Sequence, residues 1–80
     1  MTTLKLRTVT VQLEKHGYRT RVWNTDPNVE ERYLGSIFKN PFTAEWVAGY
    51  ADRDVLPVRS PPMSTRRKAC EWLVAFHAGR

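Results

Sequence analysis

The sequence predicts an α+β domain: an antiparallel sheet of three main strands plus an N-terminal hairpin, packed on one C-terminal helix. Two polar–apolar alternations come first, three short apolar runs separated by turn-forming residues follow, and an apolar stripe of helical spacing comes last. Eighty residues, 41% of them hydrophobic, suffice for one small domain, 1–80, with a single modest core. We divide it into a hairpin segment, 1–24, and a sheet-plus-helix body, 33–78.

The hairpin is predicted from residues whose polarity alternates on both sides of Gly17. Apolar residues alternate with polar ones before it at Val9, Val11 and Leu13, and the pattern returns after it at Tyr18, Thr20 and Val22. This alternation is typical of two half-buried strands with a turn at His16 and Gly17. A helix over 8–16 is the alternative, but its β-branched residues disfavour it.

The segment 24–32, NTDPNVEER, is predicted as a loop or a single helical turn, because it combines Asn, Asp-Pro and several acids. Three predicted strands follow it, at 33–39, 45–51 and 55–59. The turn at 40–43 and the reversal at 52–54 are short, so consecutive strands must run antiparallel. Pro57 marks the third strand as an edge strand or a bulge, because proline cannot donate to a ladder.

A helix is predicted over 64–78. Its apolar stripe has the spacing i, i+3, i+4 and i+7, at Ala69, Trp72, Leu73 and Phe76. Ser64 or Thr65 is the predicted N-cap, and Gly79 is the predicted stop. The stripe is wide enough to cover a three-stranded sheet, which leaves the other sheet face for the hairpin, solvent or a partner.

The first helical turn carries Arg66, Arg67 and Lys68, although a helix N-terminus favours anions. Either these cations are well solvated, or an anion binds among them. Backbone amides at a helix start can bind a phosphate, and these three side chains would surround it with charge.

The net charge of +5 is unevenly distributed, with +4 in residues 1–23, −3 in 24–54 and +4 in 55–80. Clustered cations in a basic domain favour a polyanionic partner, and we expect DNA. Arg19 and Arg21 on the hairpin and Arg59 on the third strand are candidate groove contacts, because arginine offers two donors at once. Ordinary solvated strand faces are the alternative. Trp23, Tyr33 or Tyr50 could stack on single-stranded bases or pack in the core.

No constellation for catalysis is present, so we expect no enzyme, no cofactor and no metal site. His16 and His77 lie far apart in the sequence, no glycine-rich phosphate loop occurs, and no nucleophile has a base nearby. Cys70 is the single cysteine, which excludes an intramolecular disulfide and predicts a half-buried, inert thiol. No apolar run is long enough for a membrane span and no signal peptide is visible, so a cytoplasmic location is expected.

Three motifs resemble the small amino-terminal DNA-binding domains of phage and transposon tyrosine recombinases. They are Gly35-Ser36-Ile37, Trp46-x-Ala48 and Thr65-x-x-x-Ala69-x-x-Trp72-Leu73. Plant ethylene-response-factor domains are similar in fold. The resemblance covers roughly residues 33–76 and implies three antiparallel strands on one helix, with the exposed sheet face entering the DNA major groove.

The chain also departs from that pattern. The predicted strands that would meet DNA offer only Lys39 and Arg53 among many acids, and Ser60-Pro61-Pro62-Met63 separates the third strand from the helix. Without a recombinase catalytic domain, the resemblance implies an accessory factor encoded by a phage or mobile element. The chain also resembles small uncharacterised actinobacteriophage proteins, which implies no activity.

A protein-interaction module is the rival interpretation. A host protein could dock on the acidic segment 24–32 or the proline-rich segment 57–62, and an exposed edge strand could pair with a second copy to form a homodimer. Three tryptophans in so short a chain fit this interpretation. DNA binding requires Arg59 and the helix-start cations to share a face with Arg19 or Arg21, whereas protein binding predicts an exposed apolar patch containing an aromatic residue.

Overall fold

The computed structural model describes residues 2–52 and 55–79 and shows six strands followed by one helix. These are β1 (Thr2–Lys5), β2 (Thr10–His16), β3 (Arg19–Asn24), β4 (Tyr33–Lys39), β5 (Trp46–Asp52), β6 (Val55–Arg59) and α1 (Arg66–Ala78). The strands form one antiparallel sheet in chain order, so each pairs with its neighbours in sequence. The predicted α+β class, the antiparallel sheet and the C-terminal helix are confirmed.

The N-terminal hairpin belongs to the same sheet as the body. β3 pairs with β4, and their register shifts between Val22 and Trp23, which marks a β-bulge. The loop at 25–32 closes this connection, with the Asn24 amide donating to the Arg32 oxygen at 2.7 Å. The side chains of Asn24 and Asp26 each accept a hydrogen bond from the backbone amide two residues further along the chain. These two Asx turns stabilise the loop that the sequence predicts here.

The sequence prediction missed β1, so the sheet has six strands instead of five. β1 pairs with β2 through Thr2↔Leu13 to Lys5↔Thr10. Its four residues contain a single apolar side chain, Leu4, which is half-buried. A single apolar position cannot show an alternation of polar and apolar residues. This strand forms because its backbone pairs with the edge of β2 and satisfies the hydrogen-bonding groups there.

The three strands of the body are confirmed to within one residue at each end, and Pro57 lies on β6 at the sheet edge as predicted. The reversal predicted at 52–54 lies largely outside the described residues. After β6, Ser60 continues the contact with β5. Its amide donates to the Ala48 oxygen and its Oγ accepts from the Ala48 amide, both at 2.8 Å.

The helix α1 packs on β4 and β5 and covers one face of the sheet. Three of its residues are fully buried, Ala69, Cys70 and Leu73, whereas Trp72 and Phe76 are half-buried beside them. Thr65 is the N-cap, accepting a hydrogen bond from the Lys68 amide, and Gly79 is the C-cap. The Cys70 thiol is therefore buried more deeply than the half-buried position predicted for it.

Gly35 permits the close approach of the helix to the sheet. Its φ is +140°, and a Cβ at this position would meet the Gly49 backbone oxygen and the Leu73 side chain. A glycine is required here by both conformation and space. The core then extends from Leu73 across β4, β3 and β2 to Ile37, Val22 and Val11, all with no exposed surface.

Candidate functional site

The face of the sheet opposite α1 is not covered by any described element, and we call it the open face. Cross-strand pairing places four of its residues in one row: Arg21↔Ser36, Ser36↔Gly49 and Gly49↔Arg59. Successive side chains on a strand point to opposite faces. Since the intervening Val22, Ile37 and Ala48 are buried in the core beneath α1, this row faces away from the helix.

Arg19 lies on the same face, two residues before Arg21, and pairs with Phe38. Tyr18, at the turn before it, is 79% exposed, and the Arg19 guanidinium carbon lies 5.7 Å from the centre of its ring. The three arginines predicted on strands therefore share one face, and Phe38 and Tyr18 add aromatic surface beside Arg19.

The middle of the open face is a shallow hollow of about 460 Å³. Its floor is Ser36 and Gly49, a residue with a small side chain and one with none. Arg19, Phe38 and Arg59 stand around it. A Cβ built on Gly49 would come no closer than 3.5 Å to any atom, so the chain does not need glycine here for its own packing.

Trp23 and Tyr33 form an aromatic pair at the end of the open face. Their ring centroids are 5.0 Å apart with planes inclined by 59°, and both side chains are half-buried. The Tyr33 hydroxyl and the Ser36 Oγ are hydrogen-bonded at 3.0 Å, which holds the ring against the hollow. A simple alternation would place Tyr33 with Gly35 and Ile37 on the covered face. The bulge opposite Val22 turns it over, a common effect of bulges.

The electrostatics of the open face are positive. Across residues 2–52 and 55–79, no carboxylate lies within 4 Å of the guanidinium groups of Arg19, Arg21 or Arg59. Glu14, which pairs with Arg21 in register, is the acid that β2 contributes to this face. Three guanidinium groups with no carboxylate of the described residues within 4 Å form a surface that attracts anions.

The helix-start cations lie on the other side of the sheet. Arg67 donates from both terminal nitrogens to the Lys5 backbone oxygen at 2.8 Å, and its Nε lies 3.8 Å from Glu71. The Lys68 ammonium donates to the Ser64 hydroxyl at 3.2 Å. The six cations predicted as DNA contacts therefore divide into two groups on opposite faces: Arg19, Arg21 and Arg59 on the open face, and Arg66, Arg67 and Lys68 on α1. The prediction that the helix-start cations share a face with Arg19 or Arg21 is therefore wrong, because α1 packs on the face of the sheet opposite to these arginines.

The remaining candidates are settled by burial. Tyr50 is 3% exposed, with its ring edge against His77 at 4.5 Å and its hydroxyl donating to Glu31 at 2.8 Å, so it belongs to the core and cannot stack on a base. His77 Nε2 lies 2.8 Å from the Leu34 oxygen, and since a carbonyl only accepts, this nitrogen carries the proton. The sequence did not identify Tyr18, Ser36, Phe38 and Gly49 as site residues. Only the cross-strand register, and for Tyr18 the ring contact with Arg19, shows that they lie beside the three arginines.

The described part of the chain offers little support for a metal site, a reactive thiol or a membrane span. No group of three or more His, Cys, Asp or Glu residues could hold a metal ion there. Burial raises the pKa of the Cys70 thiol from 9.0 to about 11, against a smaller lowering by Arg66, and the thiol is therefore a poor nucleophile. No described helix is long and apolar enough to cross a membrane.

Comparisons with known proteins found no match among family models, curated proteins or solved structures.

Proposed function

We propose that this chain is a small, basic, non-enzymatic nucleic-acid-binding protein, of the kind that serves a phage or mobile element as an accessory factor. The observation that supports this function is the set of three guanidinium groups on the open face. Arg19, Arg21 and Arg59 have no carboxylate within 4 Å across the described ranges, and the Trp23–Tyr33 pair adjoins them. Nucleic acids present both phosphate oxygens and flat bases. The guanidinium groups of this surface can bind the phosphates, and its aromatic rings can stack on the bases.

The proposed contacts follow from side-chain chemistry. Each guanidinium can form two parallel hydrogen bonds to one phosphate, which fixes the backbone on the sheet. Three such contacts would release about three counter-ions, so log affinity should fall with log salt at a slope of about −2 to −3.

In this proposal the helix start lies outside the interface, although Arg66, Arg67 and Lys68 are predicted DNA contacts. Arg67 is engaged by the Lys5 oxygen and Glu71, and α1 lies on the opposite side of the sheet from Arg21. No single nucleic-acid segment touches both groups without passing around the sheet edge.

A matched pair of variants tests this assignment. Arg21→Ala and Arg66→Ala each remove one guanidinium and one positive charge, but on opposite faces. In fluorescence anisotropy with a labelled oligonucleotide, we expect Arg21→Ala to weaken binding about 5- to 10-fold and to reduce the salt slope by about 0.7 to 0.9. Arg66→Ala should leave both nearly unchanged.

Two results would count against the proposal. Equal losses in the two variants would mean that binding follows overall charge or involves the helix start. Absence of binding by the unmodified protein at low salt would reject nucleic acid as the ligand.

Self-association through β6 is the second candidate function, and one observation favours it. β6 lies at the sheet edge, and its Leu56 side chain is 85% exposed. An edge strand with an exposed apolar residue can pair with another chain, although Pro57 removes one donor from that edge. Light scattering over a concentration series would show a dimer that Leu56→Lys abolishes, whereas a monomer at all concentrations would exclude this candidate.

A further inference from the structure

We infer that the nucleic acid that binds on the open face is single-stranded, and that its bases stack on the Trp23–Tyr33 pair while its phosphates lie on the arginines. This inference rests on the proposed function. It differs from the major-groove docking that the recombinase resemblance implies.

The breadth of the sheet argues against a duplex. Arg21 and Arg59 stand on β3 and β6 in one row, three strand spacings or about 14 Å apart, and the described sheet continues through β2 and β1. The major groove is about 12 Å wide and admits a helix or a two-stranded ribbon. A face of six strands cannot enter it, and a duplex lying across the open face would present only its backbone.

The Trp23–Tyr33 pair is positioned so that an exposed base can stack on it. Tyr33 is held by its hydrogen bond to Ser36, and Trp23 lies against its ring with a 5.0 Å centroid separation. Rings that are fixed before binding lose little conformational entropy when a base stacks on them. Bases inside a duplex are already stacked, so this pair has a ligand only when the strand is unpaired.

The order of residues along β3 suits an extended strand. Arg19, Arg21 and Trp23 follow one another at every second position on the open face, about 7 Å apart. Successive phosphates of an extended strand have a comparable separation. A strand that runs along β3 can therefore contact two guanidinium groups and reach the Trp23 ring.

The hollow beside β3 provides a second binding position for the strand. Its volume of about 460 Å³ is within the range of small-ligand pockets, and its floor of Ser36 and Gly49 has Arg19 on one side and Arg59 on the other. A nucleotide unit that enters it would have its phosphate between two cations and its base near Phe38.

The test compares one labelled 15-nucleotide strand of mixed sequence with the duplex it forms with its complement, both by fluorescence anisotropy at low salt. We expect the unmodified protein to bind the single strand at least about 5-fold more tightly. Trp23→Leu should weaken single-strand binding about 5- to 100-fold and change duplex binding little. Trp72→Leu, the same substitution on the helix, is the matched control and should change neither.

Gly49→Val is a second variant, whose Cβ would meet the Val58 oxygen at an ordinary 3.5 Å. Circular dichroism and thermal unfolding check that this variant is folded before its binding is compared. It fills the hollow and should weaken single-strand binding about 5-fold or more. Duplex binding as tight as single-strand binding would overturn the inference and leave the proposed function standing. Absence of binding to either probe would reject both. Single-strand affinity unchanged in both Trp23→Leu and Gly49→Val would also overturn the inference.

Discussion

The Arg67 guanidinium donates two hydrogen bonds to the Lys5 backbone oxygen, each 2.8 Å long, and so joins the first turn of α1 to the end of β1. The Arg67 side chain also lies 3.8 Å from Glu71, one turn along the helix. A cation in the first turn opposes the helix dipole. Here the loss is offset by a protein acceptor, so Arg67 stabilises the fold and requires no bound anion.

The first prediction compares Arg67 with its neighbour Arg66. Arg67→Ala should lower the free energy of unfolding by about 1 to 2 kcal/mol, because two charge-assisted hydrogen bonds are lost from a partly exposed site. Arg66→Ala, which removes the same group, should leave stability unchanged or raise it by up to about 0.5 kcal/mol through the helix dipole. Urea unfolding measures both. Equal losses would show that the Lys5 contact contributes nothing.

The second prediction compares two glycines with positive φ. Gly35→Ala should destabilise the fold by more than about 3 kcal/mol, because the new Cβ would overlap the Gly49 oxygen and the Leu73 side chain. Gly17→Ala has φ +66° and nothing within 4 Å, so only the conformational cost of about 1 to 2 kcal/mol applies. Thermal unfolding ranks the two. A Gly35→Ala protein as stable as Gly17→Ala would contradict the close approach of α1 to β4.

The third prediction concerns Ser60, whose hydroxyl accepts from the buried Ala48 amide at 2.8 Å and donates to the Pro61 oxygen at 2.9 Å. Ser60→Ala should lower the free energy of unfolding by about 1 to 3 kcal/mol, because the Ala48 amide loses its acceptor away from water. Ser64→Ala is the control, since its exposed hydroxyl contacts only the Lys68 ammonium among the described residues. Its effect should be within about 0.5 kcal/mol of zero.

The fourth prediction is a pH dependence from Cys70, whose pKa burial raises from 9.0 to about 11. Between these values the unfolded chain has lost the thiol proton while the folded chain retains it. The free energy of unfolding therefore falls as the pH rises from 9 towards 11, by up to about 2 to 3 kcal/mol. Cys70→Ala lacks this contribution, and the difference between the two proteins should shrink over that range. A constant difference would contradict the prediction.

The same burial protects the thiol from reagents. At pH 8 a disulfide reagent should label native Cys70 only at the rate of unfolding, and should label it at once in denaturant. Rapid labelling of the native protein would show that α1 opens locally.

Local patterns predicted much of the fold. The strand at 33–39 and the edge strand at 55–59 have the predicted bounds, and the apolar stripe of α1 predicted its buried side through Ala69 and Leu73. These features were predictable because each is set by neighbours within a few residues. β1 was not, because a strand with one half-buried apolar residue exists only through its pairing with β2.

The candidate site divides in the same way. Spacing alone determined that Arg19 and Arg21 alternate with Thr20 and Val22 on one strand, since side chains on a strand have a period of two. Only the tertiary structure decided that Arg59 lies in a row with Arg21, and that the bulge turns Tyr33 to the open face. It also decided that the Arg67 guanidinium donates to the Lys5 oxygen. These relations join residues 10 to 62 positions apart, and cross-strand register and helix placement depend on the whole core rather than on any local pattern.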